Sequence, residues 1–321
     1  MPPTEQSWHE AVAALERAGR IGVVGHVRPD GDALGSAIAL ALAARDAGKF
    51  AVASFGEPFA IGDEFRFLDQ SVLVLPAAFP ADLDLVVVCD TGVVERVGSL
   101  APAVVAADEV LVVDHHVTES DLDALSVVDP AAAATAQLVH ELLMRAGWRI
   151  TTPIAEALYT GLVTDTGRFQ YGSTTPAVHR LAAELLASGV EVAPIGQMLY
   201  EEAPFGYFTV ASRVLGRAKL DERVGLVWSV LYREDLRDAD ITWPAADPLI
   251  DLVRLAREAG VACLLKETHP GILKGSLRSR GPVDVAEIAA AFGGGGHRAA
   301  AGFTTDLGVE QVIDRISGML A

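Results

Sequence analysis

The stretch IGVVGHVRPDGDALGS, at positions 21–36, decides how this chain folds. Its apolar start is typical of a buried β-strand, and the run from Ala33 to Ala47 has the spacing of a helix that packs one face on a core. Between the strand and the helix stand side chains that commonly bind metal ions, namely His26, Asp30 and Asp32. A strand that leads into a helix through a polar turn predicts one unit of a parallel α/β sheet.

Two further polar clusters follow apolar runs of the same kind. The run DLVVVC at 84–89 leads into CDTG at 89–92, and EVLVV at 109–113 leads into the triplet DHH at 114–116. The carboxyl ends of parallel strands form the ligand-binding edge of an open α/β sheet, so clusters that are distant in sequence converge there. Clustered Asp and His without Cys suit borderline-hard cations such as manganese or magnesium. The sequence therefore predicts a metal-dependent hydrolase site.

The first half of the chain alternates strand and helix signals from position 21 to about 130. The runs FAVASF at 50–55 and SVLVL at 71–75 predict further strands. Because helical segments separate the strands, we expect a parallel, doubly wound sheet. The pattern then becomes mostly helical, with apolar or amphipathic stretches at 131–147, 153–165 and 176–189.

The residues after about position 220 predict a second, smaller α/β domain. Helical stretches PLIDLVRLAREAG and VDVAEIAAAF lie among strand-like runs at 224–232, 261–267 and 272–279. Prolines and short helical pieces punctuate the region before these strands. We therefore expect three parts, which are a first domain over 1–190, a helical linker over 191–220 and a second domain over 221–321.

The composition of the chain limits the kinds of molecule that we expect it to bind. The 321 residues include 43 acidic and 25 basic side chains, a net charge of −18, which disfavours the extended basic surface that long duplex nucleic acid requires. The longest apolar run, at 38–44, is far too short to span a bilayer, and the amino terminus lacks a signal-peptide pattern. Cys89 and Cys263 lie in strand-like runs and are better explained as buried thiols than as a disulfide. We expect a cytoplasmic protein with no membrane partner.

The aspartates of the first two clusters have structural alternatives. Asp30 or Asp32 would also serve as an ordinary helix cap, and Asp90 would also satisfy loop amides as an Asx-turn. The joint occurrence of a histidine and several aspartates at strand ends favours metal binding instead. Two ions that share one site need a common ligand, and Asp90 is the candidate for that bridge.

The DHH triplet is the more specific cluster, because two adjacent histidines after an aspartate at a strand end are rare in structural roles. His115 would bind metal while His116 faces the substrate, and Asp114 would orient an imidazole. A hydrogen-bonded core pair is the alternative. Asp165, in LVTDTGRF, lies at the end of an apolar helix, where an ordinary C-terminal turn explains it without any ligand.

Near the carboxyl end, GGGGHRAAAGF at 293–303 exposes consecutive backbone amides ahead of His297 and Arg298, which we expect to begin a helix. Exposed amides, a helix N-terminus and a cationic side chain together predict an anion site. Arg278, in SLRS at 276–279, is a candidate phosphate clamp at a strand end. A flexible loop and a solvated arginine are the structural alternatives. The phosphate loop GxxxxGK[ST] is absent from the sequence, which argues against nucleotide-triphosphate hydrolysis of that type.

These motifs resemble those of the DHH phosphoesterase superfamily, which is named for the triplet at 114–116. HVRPDGDALGS, VVCDTG, VVDHH and GLVTDTGRF follow the four amino-terminal motifs of that family in order. GGGGHRAAAGF resembles the signature of the associated carboxyl-terminal domain in nanoRNases and pAp phosphatases, where pAp is 3′-phosphoadenosine 5′-phosphate. The resemblance covers nearly the whole chain and implies a two-domain enzyme of this subgroup.

The resemblance also implies two bound manganese ions, with magnesium or cobalt as substitutes. The ligands of one ion would be His26, Asp30 and Asp90. The ligands of the other would be Asp32, the bridging Asp90, His115 and Asp165.

For catalysis, the resemblance assigns His116, with Asp114 beside it, to the scissile phosphate and to protonation of the leaving group. The residues expected to bind the substrate are Arg168, Arg278, Ser279, Gly294, Gly295, Gly296 and His297. One departure from the family pattern bears on substrate preference, since many relatives have Asn shortly after the triplet where this chain has Glu119.

The expected activity is hydrolysis of short single-stranded oligoribonucleotides and pAp by a homodimer, with cyclic dinucleotides or their linear products as further substrates. An inorganic pyrophosphatase or polyphosphatase is the first alternative, because those enzymes share the amino-terminal motifs. They lack the GGGGH signature, and the basic cluster of their carboxyl-terminal domain is not found in this sequence. A non-catalytic nucleotide sensor is the second alternative, although a sensor would be expected to lose metal ligands that this chain keeps.

Overall fold

A computed structural model of the chain describes residues 2–117 and 120–321. The chain forms two compact units, which cover residues 1–202 and 203–321. The segment that was expected to be a helical linker, 191–220, is divided between them. Both units are α/β, so the predicted fold class is confirmed. None of the helices in the described part of the chain is both long and apolar enough to span a bilayer.

The first unit is built on a five-stranded sheet in which every strand pair is parallel. Its strands are β1 (Arg20–Gly25), β2 (Phe50–Phe55), β3 (Leu85–Cys89), β4 (Val110–Asp114) and β5 (Leu125–Val128). Their order across the sheet is β2-β1-β3-β4-β5, which is the doubly wound arrangement expected from the sequence. The helices described in this unit are α1 (Glu5–Arg17), α2 (Gly31–Asp46), α3 (Ala101–Val105), α4 (Thr135–Arg145), α5 (Thr152–Asp165), α6 (Pro176–Ala187) and α7 (Val192–Tyr200).

Most residues of strands β1 to β4 are apolar and buried, because both faces of the sheet are covered there. In β3, Val87 packs into one cluster with residues of α2 and α5, whereas Val88 packs on the other face with Leu100 and Val104. All five residues of β3 are buried. Complete burial of one such valine contributes about 1.5–3 kcal/mol relative to an exposed position. The strand ends, where the polar clusters begin, are thereby held on a rigid frame.

Helices α2 and α5 cross at glycines, so the start of α2 lies close to the last turn of α5. A Cβ atom at Gly35 would lie 2.2 Å from the carbonyl oxygen of Ala157, and one at Gly161 would lie 2.6 Å from Oδ1 of Asp32. Because any side chain at these positions would clash, only glycine permits this approach. Asp32 at the start of α2 therefore lies directly against α5, whose last residue is Asp165.

In the first unit, one strand prediction is wrong and one strand was missed. The run at 71–75 is not a strand, since the structure has a 3₁₀ turn at Gln70–Val72 and a single bridge from Leu73 to Ala53. Asp69 starts that turn by accepting a hydrogen bond from the amide of Ser71 at 2.9 Å, and a second turn follows at Pro76. Too few residues remain between the turns for a ladder. Strand β5, in contrast, was not expected, because it has only four residues and follows an acidic loop.

The second unit contains a mixed six-stranded sheet of order β10-β11-β9-β8-β7-β6. Its strands are β6 (Lys219–Asp221), β7 (Leu226–Leu231), β8 (Val261–His269), β9 (Ile272–Ser279), β10 (Gly295–His297) and β11 (Ala300–Thr305). Strands β7 and β8 are parallel and the other pairs are antiparallel. The helices described in this unit are α8 (Gly206–Gly216), α9 (Arg233–Ala239), α10 (Leu249–Val253), α11 (Val285–Ala290) and α12 (Val309–Leu320).

The helix expected to begin at His297 is a wrong prediction, because the glycine run enters a β-hairpin. Strand β10 pairs with β11, with Gly295 opposite Gly302 and His297 opposite Ala300. A Cβ atom at Gly294 would lie 2.2 Å from the carbonyl oxygen of Gly302, so the glycines allow two backbones to approach closely. The helix expected over 248–260 is also shorter than predicted and ends at Val253.

Candidate metal centre

The predicted metal ligands come together at the carboxyl edge of the parallel sheet. His26 follows β1, Asp90 follows β3, and the DHH triplet begins at the last residue of β4. Asp30 and Asp32 stand at the start of α2, and α5 delivers Asp165 to the same place. Residues that are up to 139 positions apart in sequence, from His26 to Asp165, thus form one cluster.

Asp90 occupies the middle of this cluster and is almost completely buried. Its Oδ2 atom lies 3.3 Å from Nε2 of His26, and its Oδ1 atom lies 3.5 Å from Nε2 of His115. The residue has a φ of 64°, a left-handed conformation that is unfavourable for a residue with a side chain. Its amide is nevertheless anchored to the carbonyl oxygen of Val113 at 3.0 Å. Strain held in this way is typical of functional sites.

The first group of potential ligands contains His26, Asp30 and Asp90, whose ligand atoms lie within 4.8 Å of one another. Asp30 also caps α2, because its Oδ1 atom accepts hydrogen bonds from the amides of Asp32 and Ala33 at 3.1 and 3.0 Å. Its Oδ2 atom lies 3.8 Å from Nε2 of His26. One oxygen of Asp30 therefore caps the helix while the other faces the cluster, so capping and metal binding are compatible.

The second group contains Asp32, His115 and Asp165. Nε2 of His115 lies 3.1 Å from Oδ2 of Asp165 and 3.8 Å from Oδ2 of Asp32. Asp32 is fully buried and accepts hydrogen bonds from the amides of Thr135 and Ala136 at 2.5 and 2.9 Å. These amides are the unsatisfied donors at the start of α4, so the helix terminus stabilises the carboxylate charge.

Thr135 is a member of the site that the sequence analysis missed. Its hydroxyl donates a hydrogen bond to Oδ1 of Asp90 at 2.9 Å, while its amide binds Asp32. It therefore fixes two predicted metal ligands at once. The only sequence signal is a threonine at the first position of a helix after the run Ala131–Ala134, and that signal is weak. Ser36, which was also missed, donates to Oδ1 of Asp32 at 3.2 Å.

His116 differs from the other histidines because its ring is held by Asp114. Nδ1 of His116 lies 2.7 Å from Oδ1 of Asp114, which also accepts the amide of His116 at 3.1 Å. Burial alone would raise the pKa of Asp114, but the contact with His116 outweighs burial and lowers the pKa. The carboxylate is therefore an acceptor and the proton resides on Nδ1, so proton exchange with a ligand would take place at Nε2. His116 also lies in a third group with Asp90 and His115, in which its Nδ1 atom, already in contact with Asp114, is 3.6 Å from Oδ1 of Asp90.

The electrostatics of the cluster show that several carboxylates are crowded together. Burial, and then the neighbouring charges of Asp90 and Asp165, raise the pKa of Asp32 well above its usual range. Burial likewise raises the pKa of Asp165 to about 6, although His115 opposes the shift. Such repulsion is relieved when cations bind between the carboxylates.

The pKa values of the two histidines in these groups are also raised, which in their case favours the charged form. Burial alone would lower the pKa of His26 and His115, but contacts with Asp30 and Asp90 in the first case, and with Asp165 and Asp32 in the second, raise both values to about 10. A cation that binds through Nε2 must displace the proton there, so binding releases protons and strengthens as the pH rises. Carboxylate oxygens and imidazole nitrogens without thiolates fit borderline-hard divalent cations.

The residues predicted to bind the substrate lie in both units. Arg168 is exposed in the first unit, three residues after Asp165. In the second unit, Arg278 pairs with Ala300 of β11, which in turn pairs with His297 of β10, so these positions share one end of the sheet. Ser279 ends β9, and Gly294, Gly295 and Gly296 lead into and form the β10 hairpin strand. Glu119 lies outside the described residues.

Comparison with known families gives matches for both units. Residues 20–162 match the model described as the DHH family, N-terminal domain. Residues 225–320 match the model described as the DHHA1 domain. The DHH match contains His26, Asp90 and the triplet, and the DHHA1 match contains Arg278 and the glycine run.

Individual relatives are similar over nearly the whole chain. The bifunctional oligoribonuclease and PAP phosphatase NrnA of Thermus thermophilus is 34% identical over 313 residues, which is 96% of this chain and 90% of that protein. A solved structure of an exopolyphosphatase-related protein from Bacteroides fragilis is 25% identical, with a TM-score of 0.91 over 99% of this chain and 96% of the other. RecJ from Thermus thermophilus in complex with Mn²⁺ is 16% identical, with a TM-score of 0.57 over 98% of this chain and 55% of the other, and at that identity shows the fold alone.

Proposed function

We propose that this chain, which belongs to the DHH phosphoesterase family and has its DHHA1 domain, is a manganese-dependent enzyme that hydrolyses short oligoribonucleotides and pAp. The observation that carries the proposal is the position of Asp90, whose two carboxylate oxygens face His26 and His115 at 3.3 and 3.5 Å. A buried carboxylate between two groups of ligands is what a pair of ions requires as a bridge. The similarity to NrnA of Thermus thermophilus supports the choice of substrates, and the set of carboxylate oxygens and imidazole nitrogens without thiolates supports a metal such as manganese.

The proposed ligands divide into two sets that share Asp90. One set is His26, Asp30 and Asp90, and the other is Asp32, Asp90, His115 and Asp165. Bound there, two divalent cations would lower the pKa of a water molecule and neutralise charge on the substrate phosphate. The four aspartates carry a formal charge of −4, which two divalent cations balance. The residues that bind the anionic substrate must therefore supply the remaining positive charge.

His116 is proposed to donate a proton to the leaving-group oxygen through Nε2. Asp114 keeps the ring in place, because its Oδ1 atom binds both Nδ1 and the amide of His116. The carboxylate also stabilises the charge of the imidazolium before the proton is donated. Asp114 thus acts through His116 and need not touch the substrate.

Replacing His116 by alanine is expected to lower kcat by about 10²–10⁴-fold, which is the usual contribution of a general acid or base. The manganese content should stay close to that of the wild type, because His116 is not among the proposed ligands. Release of AMP from pAp gives kcat, and elemental analysis gives the metal content. His9→Ala, at an exposed position of α1, is the matched control. Loss of one metal equivalent in the His116 variant would show that His116 is a ligand after all.

The role of the second unit is proposed from its sequence and from the register of its sheet. Arg278, Ser279, Gly294–Gly296 and His297 are proposed to bind the part of the substrate that is not cleaved. Arginine and backbone amides are suited to terminal phosphate groups. A homodimer stays a prediction.

A pyrophosphatase or polyphosphatase is the second candidate function, because the similar structure from Bacteroides fragilis is described as exopolyphosphatase-related. The two functions differ in substrate and are separable by one panel of assays. The panel contains pAp, the dinucleotide pApA, cyclic di-AMP, pyrophosphate and polyphosphate, each with manganese, and chromatography identifies the products.

In this panel, we expect AMP from both pAp and pApA, with little phosphate from pyrophosphate or polyphosphate. Faster release of phosphate from pyrophosphate than from pAp would overturn the proposal in favour of the second candidate. Binding of nucleotides without any turnover would instead indicate a sensor. Turnover of cyclic di-AMP would extend the substrate range without changing the reaction class.

A further inference from the structure

The turn that follows Asp165 has an uncommon backbone conformation. Gly167, Arg168 and Phe169 have φ angles of 55°, 62° and 63°, so three successive residues are left-handed. Only the first of them is glycine, and the other two must hold an unfavourable conformation. Such a turn persists when neighbouring contacts fix it, and it marks a functional segment more often than an ordinary loop does.

Several contacts fix this turn. The amides of Gln170 and Tyr171 both donate to the carbonyl oxygen of Thr166 at 3.0 Å, and the amide of Phe169 donates to Oγ1 of Thr166 at 3.1 Å. The Phe169 ring packs 5.3 Å from the ring of His179, centroid to centroid. Phe169 is thus turned into the protein, while Arg168 stays exposed on the outer side of the turn.

Arg168 is held by an aromatic ring from a distant helix. The Cζ atom of its guanidinium lies 3.9 Å from the centroid of Tyr200, the last residue of α7. The hydroxyl of Tyr200 donates to the carbonyl oxygen of Val163 at 3.3 Å, two residues before Asp165. Tyr200 therefore connects the end of α5 to the arginine of the turn.

The contact between Arg168 and Tyr200 leaves the positive charge of the guanidinium in place. Burial raises the pKa of Tyr200 to about 12, although Arg168 opposes the shift, so the phenol is neutral at working pH. Among the residues that the structure describes, no acidic side chain forms an ion pair with Arg168, whereas Arg66 of the same unit pairs with Glu202 at 2.7 Å. A guanidinium whose face rests on a ring keeps its in-plane N–H donors for a phosphate.

We propose that the Gly167–Phe169 turn is a phosphate-binding subsite beside Asp165, and that Tyr200 is the positioning residue that holds Arg168 in it. This inference rests on the proposed function, because the ligand is the phosphate of an oligoribonucleotide or of pAp. It goes beyond that function in giving a role to Tyr200, which no sequence motif indicates. Arg168 binds the phosphate through charge-assisted hydrogen bonds, and Tyr200 limits the conformations that its long side chain can adopt.

The test measures the affinity of variants for an analogue of pApA in which a methylene group replaces the bridging oxygen, with manganese present. Arg168→Ala should weaken binding about 10- to 100-fold, as expected for loss of charge-assisted hydrogen bonds. Tyr200→Leu should weaken it about 2- to 5-fold, the value of an exposed cation–π contact. Tyr200→Phe, which keeps the ring, should restore most of that loss. In the kinetics of pApA, these changes should appear in KM more than in kcat.

A double-mutant cycle separates positioning from a merely structural role. If Tyr200 acts through Arg168, Tyr200→Leu should cause no further loss in the Arg168→Ala background. An equal loss in both backgrounds, or no loss in Tyr200→Leu, would overturn the inference. Arg66→Ala is the control for removal of an arginine from the same unit. A wild-type protein that binds neither the analogue nor pAp would overturn the proposed function and the inference with it, whereas normal wild-type binding with unaffected variants would overturn the inference alone.

Discussion

Replacing Asp90 by alanine is expected to lower the turnover of pAp by at least about a thousandfold, the largest effect of any single substitution among the proposed metal ligands. The carboxylate faces both His26 and His115, so its loss removes a ligand from both proposed metal positions. It also leaves the hydroxyl of Thr135 without its acceptor inside the protein. The manganese content should therefore fall below two ions per chain, which elemental analysis measures alongside kcat.

The control for this substitution is Asp82→Ala, which removes an exposed aspartate paired with Arg20 at the surface. That variant should retain both activity and metal. Asp90→Asn keeps the shape of the side chain and removes its charge, so it separates loss of metal binding from loss of packing. Turnover near the wild-type value in Asp90→Ala, with two ions still bound, would show that Asp90 is not the bridge.

The sequence was sufficient to predict which strand ends bring the candidate ligands together, because two simple patterns coincide there. Apolar runs of five or six residues predict buried parallel strands, and the rule that ligands bind at their carboxyl ends brings His26, Asp90 and the triplet together. Asp30 shows the limit of this reasoning, since the sequence presents capping and metal binding as alternatives. In the structure its two oxygens point to different partners, so both descriptions are compatible.

The contacts that hold the ligands could not be predicted, because they join segments far apart in the chain. Asp32 binds the amides of Thr135 and Ala136, which are more than 100 residues away, and no periodicity signals such a contact. Tyr200 reaches Arg168 from another helix in the same way. Local patterns specify elements, whereas the contacts of Asp32 depend on how closely α2 and α5 pack at Gly161, where a Cβ atom would meet both Asp32 and Ala136.

The glycine run illustrates a different limit. The run GGGGH followed by small residues predicts exposed amides, but it does not distinguish a following helix from a following hairpin. We expected a helix, and the structure has a hairpin. Partner strand β11 decides the outcome, since Gly294 and Gly296 approach its backbone too closely for any side chain. The sequence thus indicated the residue types of a candidate anion site but not the element that presents them.

Removing metal is expected to abolish activity entirely, and this is the second of the large effects. Without cations, the crowded carboxylates of Asp32, Asp90 and Asp165 are balanced only in part by the positive charges of protonated His26 and His115. A phosphate would then meet an acidic cluster that repels it. Manganese added after exhaustive chelation should restore turnover of pAp, and magnesium or cobalt should restore it less well.

The pH dependence of manganese binding is an independent test of whether His26 and His115 are metal ligands. His26 and His115 have pKa values of about 10 and are protonated at neutral pH, so each must lose a proton when it binds a cation. The affinity for manganese should therefore rise between pH 6 and pH 8, with release of protons into the buffer. An affinity that does not change over this range would argue against histidine ligation.

The most direct test of the account is a titration of the chelated protein with manganese, in which bound metal and turnover of pAp are measured on the same samples. The account predicts that two ions bind per chain and that AMP release appears only as the second is bound. Full activity in the chelated protein, or full activity at one ion per chain, would contradict the two-metal centre.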